Sequence, residues 1–158
     1  YQTGIRRAEL VNLLLEHVDF SKSEIKVIGK GNKARVIPIS KKLSTLMAEY
    51  LLIRKPLETY TEYFFINAKG KKLNDKSIYS TVNTYLSLVT SKKKKSPHIL
   101  RHSFATHVLE YGAEISKVKM IMGHSSLAST QVYTSANIEQ LKKVFNSAHP
   151  RAKKNVDL

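Results

Sequence analysis

The chain has 158 residues and carries 27 lysines and arginines against 12 aspartates and glutamates, a formal net charge of +15. A charge of this size indicates a polyanionic partner such as nucleic acid or an anionic membrane surface. No apolar run approaches the roughly 20 residues that span a bilayer, and the absence of cysteine excludes disulfides and thiolate metal sites. We therefore expect a cytoplasmic protein that binds nucleic acid, and composition alone does not separate an enzyme from a binding protein.

The first third of the chain predicts a helix, a hairpin and a second helix. Residues 9–18, "ELVNLLLEHV", have the apolar spacing of an amphipathic helix. Only a few residues precede this helix, so we expect the chain to be cut from a longer one. Residues 24–39, "EIKVIGKGNKARVIPI", are two β-branched runs around a Gly- and Asn-containing turn, which predicts a β-hairpin. Helical spacing returns over residues 41–55, and Pro56 ends it.

The rest of the chain predicts one buried strand and then helices only. The aromatic stretch "YFFIN", residues 63–67, is typical of a buried strand. Helices follow at residues 75–89, within 96–112, at 114–122, from residue 125 or 126, and at 137–147. Either Asn74 or Asp75 caps the first of these. The pattern predicts an α+β fold, mostly α-helical with a small antiparallel sheet, and no linker divides it.

The helix within residues 96–112 concentrates residues that bind anions. At about 100° per residue, His98 and Arg101 lie on one face. The apolar residues form its buried stripe: Leu100, Phe104 and Val108. Arginine donates two parallel hydrogen bonds to phosphate oxygens, and histidine moves protons near neutral pH. This face therefore suits a phosphate. His102 is one turn from His98, so that spacing alone does not exclude it as a site residue. His107 lies opposite His98 and is interpreted as packing or as capping a local carbonyl.

Further basic and nucleophilic residues accompany this pair in a fixed order. "TGIRRAEL" presents Arg6 at the start of a helix, where free backbone amides favour an anion. "GKGNK" puts Lys30 at the tip of the hairpin, where a long ammonium side chain can enter a DNA groove. "MGHSSLASTQVYT" has His124 just after a helix that ends in glycine, and Tyr133 nine residues later.

This ordered set resembles the catalytic domain of the tyrosine recombinases, the integrase family. The resemblance covers nearly the whole chain through "TGIR", "GKGNKARVIPI", "SPHILRHSFATHVLEYGA", "MGHSSLASTQVYT" and "HPRA". The last motif indicates the Xer-like branch. The resemblance implies that residues 1–158 are a catalytic domain with the fold of the DNA breaking-rejoining enzymes.

The resemblance also implies a role for each matching residue. Arg6 and Arg101 would clamp the scissile phosphate and offset the charge of the transition state. Tyr133 would be the nucleophile, which attacks phosphorus to give a 3′-phosphotyrosyl bond and a free 5′-hydroxyl.

The other three matching residues would transfer protons or bind the phosphate. Lys30 would be the general acid for the leaving oxygen, His98 would move protons to or from the tyrosine, and His124 would donate a hydrogen bond to the phosphate. Because the phosphodiester energy is kept in the covalent link, neither ATP nor a metal cofactor is expected.

Additional basic residues are expected to contact the DNA backbone. The family arginine follows "TG" and one apolar residue, which selects Arg6 over its neighbour, and Lys33 competes with Lys30 on the same turn. The nucleic-acid-binding candidates are Arg7, Lys33, Lys92, Lys93, Lys94 and Lys95. His102 is expected to be either a buried histidine or one that lies behind the site residues and supports the helix.

The implied partners are a double-stranded DNA recombination site and further recombinase subunits, joined as a tetramer on DNA through the C-terminal segment 137–154. The smaller N-terminal helical domain of the family is absent from this chain, so weak, salt-sensitive DNA binding is expected. Tyr133 is expected to be mobile without DNA. Two alternatives remain. One is a type IB-like topoisomerase, against which the short spacing from His124 to Tyr133 argues. The other is a non-catalytic DNA-binding module, against which six competent residues argue.

Overall fold

A computed structural model describes residues 1–123 together with Glu139, Lys142 and Lys143, and at Lys30 it describes the backbone alone. Five α-helices and three β-strands occupy this part of the chain, in the order α1 (Arg7–Val11), β1 (Val18–Asp19), β2 (Glu24–Ile28), β3 (Ala34–Pro38), α2 (Lys41–Ile53), α3 (Asp75–Val89), α4 (Pro97–Glu110) and α5 (Ile115–Met122). The α+β prediction is confirmed.

The sheet is antiparallel and has three strands in the order β1-β2-β3. The predicted hairpin is confirmed as β2 and β3, in which Ile25 lies opposite Ile37 and Val27 opposite Arg35. A 3₁₀ turn over Lys30–Asn32 forms its tip, with Gly31 at φ +73°. Glycine suits this position because the left-handed region costs it nothing.

The helix predicted over residues 9–18 is wrong beyond Val11, where α1 ends. A short 3₁₀ turn, Leu15–His17, and the start of β1 follow within the predicted range. The Leu13 carbonyl accepts a hydrogen bond from the Phe64 amide at 2.8 Å, and the Leu15 amide donates to the Glu62 carbonyl at 2.9 Å. Pairing with this distant segment replaces the helical hydrogen bonds that the leucine spacing predicted.

The strand predicted over residues 63–67 is reduced to two isolated bridges, Leu14 with Tyr63 and Ile66 with Lys72. Phe64 is nevertheless fully buried, as its apolar surroundings in the sequence predicted. The segment pairs with short, irregular neighbours, so that no regular strand forms along it.

The predictions for α2, α3, α4 and α5 are confirmed, because their ends carry local signals. The Asn74 side chain caps α3 by accepting a hydrogen bond from the Ser77 amide at 2.8 Å. Ser96 caps α4, and Pro97 occupies its first turn. Gly123, with φ +62°, ends α5 in the left-handed conformation.

Helices α4 and α5 pack against each other, and α5 also packs on β3, which brings the second half of the chain onto the sheet. The buried core joins both halves and comprises Leu13, Ile25, Val27, Ile37, Ile39, Met47, Phe64, Phe104, Val108, Val118, Ile121 and Met122. No helix in the described ranges has the length and apolar character needed to cross a membrane.

Candidate active site

An open cleft of about 580 Å³ lies where the start of α1 meets the start of α4. Its lining combines arginine, histidine and a few apolar side chains: Ile5, Arg6, Arg7, Ala8, Tyr79, Ser96, Pro97, His98, Arg101, His102 and Met122. This described lining holds three arginines and two histidines and has no carboxylate. The cleft is therefore suited to an anion.

Arg6 is the residue before α1, and it bonds both Glu9 of α1 and the backbone at the end of α5. Its backbone amide donates to Glu9 Oε2 at 2.9 Å, and its Nη1 donates to Glu9 Oε1 at 2.9 Å. Its Nη2 donates to the Gly123 carbonyl at 2.7 Å. The side chain is 39% exposed, so that a guanidinium held on two sides still faces the cleft.

Arg101 lies on the inward side of α4, beside Phe104, and is almost completely buried. Its Nη1 donates to the Gly4 carbonyl and its Nη2 to the Met122 carbonyl. These bonds occupy two of its five N–H donors. Gly4 adopts φ +58°, and a Cβ there would overlap the Phe104 ring. The glycine of the "TGIR" motif thus allows the backbone to approach Arg101.

Three consecutive carbonyls at the end of α5 accept hydrogen bonds from three different arginines. The Ile121 carbonyl accepts from Arg35 Nε at 2.7 Å. The next two carbonyls accept from Arg101 and Arg6. A helix leaves its last carbonyls without partners inside the helix and carries partial negative charge there. The guanidinium groups therefore supply the hydrogen bonds that this end of α5 lacks.

Sequence reasoning missed two residues beneath the cleft, Glu9 and Arg35. Arg35 Nη1 and Nη2 donate to Glu9 Oε1 and Oε2 at 2.6 and 2.7 Å, a bidentate pair. Both side chains are 4% exposed. Two signals were present in the sequence. Glu9 is three residues after Arg6, where a carboxylate can cap a helix. Arg35 is two residues before Ile37 on β3, so that both side chains lie on the same, inward face of the strand.

The charges of this cluster shift two pKa values. Burial alone would raise the pKa of Glu9, but hydrogen bonds from the Arg35 side chain and the Arg6 backbone, with the charge of Arg35, lower it to about 2. Burial, followed by the charges of Arg6 and Arg35, lowers the pKa of Arg101 to about 10, and the Glu9 charge opposes this shift. At neutral pH Arg101 is therefore protonated.

The histidines of α4 separate into two groups. His98 lies in the cleft with Arg101, as their spacing predicted. Of the two readings of His102, the buried one is wrong: this residue is exposed and lines the cleft one turn after His98. Arg101 and Phe104 are on the buried face of α4, whereas His102 is on its exposed face. His107 is confirmed as packing, since its Nδ1 bonds the Tyr1 hydroxyl and its ring contacts the Tyr1 ring edge-on.

The predicted lysines lie on two surface loops. The backbone of Lys30 forms the first residue of the hairpin tip, and Lys33 is exposed at its end. Lys92, Lys93 and Lys94 are exposed in the loop before α4. Lys95 differs, because its Nζ donates to Ser87 Oγ of α3 at 3.1 Å.

Arg7 forms an ion pair across the cleft wall with Asp75 of α3, with 3.0 Å between Nη2 and Oδ2. His124 and Tyr133 lie outside the described residues, as does most of the segment 137–154. Within that segment, Lys142 Nζ lies 2.6 Å from Glu24 Oε1 of β2. In the part of the chain that the structure describes, no cluster of three or more His, Cys, Asp or Glu can hold a metal ion.

The arrangement can bind a phosphate between two positively charged side chains and supply a proton-transferring imidazole beside it. The remaining N–H donors of Arg6 and Arg101 are available to the oxygens of an anion in the cleft. His98 and His102 stand on the same side, at the exposed start of α4. Charge of this kind stabilises an anionic transition state at phosphorus.

The chain has close relatives among known recombinases. It is 39% identical over 157 residues to "Tyrosine recombinase XerC" of Shewanella sp. (strain ANA-3). The alignment covers 99% of this chain and 52% of that protein. The crystal structure of XerA recombinase superposes with a TM-score of 0.71 at 34% identity, covering 94% of this chain and 55% of that one. The chain thus spans about half the length of the curated relatives it matches.

A third similarity is to XerH site-specific recombinase bound to difH substrate in a pre-cleavage complex. Its TM-score is 0.71 at 26% identity, over 91% of this chain and 43% of that one. The phage integrase family matches residues 1–140, a range that includes the "TGIR" turn, the hairpin, α4 and the end of α5. The motifs that build the cleft thus lie within the matched range, and the chain belongs to the phage integrase family.

Proposed function

We propose that residues 1–158 are the catalytic domain of a site-specific DNA recombinase, which cuts and rejoins strands through a 3′-phosphotyrosyl intermediate. The observation that carries this proposal is the cleft, in which Arg6 meets His98 and Arg101 from a segment more than ninety positions away in the sequence. Two arginines and a histidine converge there without a carboxylate among the lining residues, which supports a phosphodiester as the bound group.

In the proposed reaction the Tyr133 oxygen attacks phosphorus while Arg6 and Arg101 hold the non-bridging oxygens. The bond from phosphorus to the 5′ oxygen breaks, and Lys30 donates the proton that this oxygen takes. His98 moves the tyrosine proton, and His124 donates a further hydrogen bond to the phosphate. The energy of the broken bond is kept in the phosphotyrosyl link, so that rejoining requires neither ATP nor a metal cofactor.

The proposed partners are a double-stranded DNA site and other recombinase subunits. A net charge of +15 supports the first. For the second, segment 137–154 is proposed to join subunits in a tetramer on DNA. Arg7, Lys33 and the lysines of the loop before α4 are proposed to contact the DNA backbone. The cytoplasm is the proposed location of this activity.

Covalent trapping on nicked DNA tests the proposal. A labelled duplex is randomised in sequence on both sides of the nick, so that the assay does not depend on one chosen site. Wild type is expected to give a slow, protease-sensitive band on a denaturing gel, and Tyr133→Phe is expected to lose it completely. Tyr85→Phe is the matched control, because Tyr85 is 67% exposed on α3, away from the lining residues. This control should keep the band.

The alternatives predict different outcomes of the same assay. A native gel run in parallel measures DNA binding. Binding without any covalent band, unchanged in Tyr133→Phe, contradicts the proposal and favours a non-catalytic DNA-binding module. A covalent band together with relaxation of supercoiled plasmid and no strand exchange between two duplexes favours a topoisomerase.

A further inference from the structure

Arg35 is the most buried charged residue beneath the cleft, and it does not line it. It extends from β3 on the inward face, opposite Val27, where an apolar side chain would be expected. A buried arginine is costly unless its hydrogen bonds are satisfied. Its Nε, Nη1 and Nη2 all donate to protein acceptors, at 2.6 to 2.7 Å. Such a residue cannot touch a ligand in the cleft directly.

The bonds from Arg35 to Glu9 determine how Arg6 is held. Arg35 binds both carboxylate oxygens of Glu9, and Arg6 binds the same two oxygens through its side chain and its amide. A bidentate guanidinium fixes the plane of a carboxylate. The orientation of the oxygens that hold Arg6 is therefore set by Arg35.

The bond from Arg35 to the Ile121 carbonyl determines how Arg101 is held. Arg35 Nε holds the Ile121 carbonyl, and the next carbonyl along α5 accepts from Arg101. The packing is close, because a Cβ on Gly123 would lie 3.1 Å from three side-chain atoms of Arg35. The end of α5 is thus fixed against the sheet through Arg35, immediately before His124 in the sequence.

We propose that Arg35 is a positioning residue for the phosphate site: through Glu9 and the end of α5 it holds the Arg6 and Arg101 guanidinium groups at the separation that an anion needs. This inference rests on the proposed function, since it assigns a support to residues proposed to bind the scissile phosphate. It differs from a role in folding alone, because it requires the bidentate geometry of arginine and not merely a filled core.

Titration of the 158-residue chain with inorganic phosphate at constant ionic strength tests the inference. Binding is followed through the side-chain Nε–Hε NMR signals of Arg6 and Arg101. Arg35→Gln is expected to weaken phosphate affinity by about tenfold or more and to broaden both signals. Arg35→Lys keeps the charge but cannot make the bidentate bond, and it should restore only part of the affinity.

Arg54→Gln is the matched control. Arg54 also donates to backbone carbonyls, of Tyr63 and Thr61, but it lies outside the cleft. Its loss should lower the melting temperature without changing phosphate affinity. Circular dichroism at the titration temperature verifies that each variant is folded, and if Arg35→Gln does not fold, Arg35→Lys decides the question.

A folded Arg35→Gln or Arg35→Lys variant with wild-type phosphate affinity overturns the inference. So does a wild-type chain that binds no phosphate at Arg6 and Arg101. Adding Glu9→Gln to Arg35→Gln should lose little beyond the larger single effect, because Arg35 supports Arg6 through the Glu9 carboxylate. The titration does not involve Tyr133, so that a failed trapping assay counts against the proposed function alone.

Discussion

Glu9 carries four hydrogen bonds from two arginines although its side chain is almost completely buried. Its carboxylate is thus the one negative group among three guanidinium groups whose bonds the structure describes. A buried ion pair contributes less to stability than its geometry suggests, because both charges lose water. Removal of one member is nevertheless costly, because an unpaired buried charge remains. The acid stability of the protein should therefore depend on this side chain.

We predict that Glu9 makes the fold sensitive to acid between about pH 4.5 and pH 2. The folded pKa is lowered from 4.5 to about 2, so that the stabilisation is complete above the unfolded value and is lost as pH falls through the folded one. A shift of this size corresponds to about 3 kcal/mol. Urea unfolding of wild type and Glu9→Gln across this range measures it.

The difference in unfolding free energy between the two proteins should shrink as the pH falls. Glu49→Gln, which changes an exposed carboxylate on α2, is the control and should follow the wild-type curve. A difference between wild type and Glu9→Gln that stays constant from pH 5 to pH 2 would contradict the lowered pKa.

At the scale of elements, the segment before α1 fits closely against Phe104 of α4 and Met122 of α5 because residue 4 is glycine. We predict that Gly4→Ala destabilises the fold by about 2 to 5 kcal/mol, the sum of the left-handed backbone cost and of overpacking. The added Cβ would overlap the Phe104 ring, at 2.7 Å from Cε1, and would lie 3.1 Å from Met122 Sδ. Urea unfolding gives the change in free energy.

Gly112→Ala is the matched variant. It has φ +87°, but nothing lies within 4 Å of its Cβ position, so that only the backbone cost of about 1 to 2 kcal/mol is expected. Equal losses of stability in the two variants would show that the N-terminal segment is not tightly packed against α4.

Elements with local signals could be predicted from the sequence, and elements that depend on distant pairing could not. Asn74, Ser96 and Gly123 mark helix ends through hydrogen bonds and dihedral angles that neighbouring residues determine. The misjudged segments, around residues 13–15 and 63–67, bond to each other across about fifty positions. No periodicity within either segment contains that information.

The same division holds for the candidate site. Arg6, His98 and Arg101 could be predicted because motif and spacing identify them. Glu9 and Arg35 were missed because their importance arises from the meeting of α1 and β3, which the sequence does not display. The exposure of His102 was also missed, since a single helix wheel does not say which of two adjacent faces the rest of the chain covers.

At the scale of the whole molecule, the net charge should dominate association with DNA. We predict that DNA affinity falls at least about tenfold when monovalent salt rises from 50 to 200 mM, because binding releases counterions from the phosphates. Replacement of Lys92, Lys93 and Lys94 by glutamine should lower the slope of log affinity against log salt by about 0.9 for each phosphate that is no longer neutralised. Fluorescence anisotropy of a labelled duplex measures both.

The matched control replaces Lys41, Lys42 and Lys55, which are exposed at the two ends of α2 and carry the same total charge. Its slope should change less than that of the loop variant. Equal slopes in the two triple variants would mean that the loop before α4 does not bind phosphates directly. An affinity that does not respond to salt would contradict the DNA-binding proposal as a whole.

The hydrogen bonds of the three arginines join distant parts of the sequence. Arg35 and Ile121 are 86 positions apart, Gly4 and Arg101 are 97 apart, and Arg6 and Gly123 are 117 apart. During synthesis, Arg6 leaves the ribosome long before the helix end that holds it. The arginine cluster can therefore assemble only after residues 121–123 have been made. A partly made or partly unfolded chain keeps its basic charge and can adhere to DNA, but it lacks the assembled arginine pair. Under the proposed function, strand cutting therefore requires a chain in which these distant residues are already folded together.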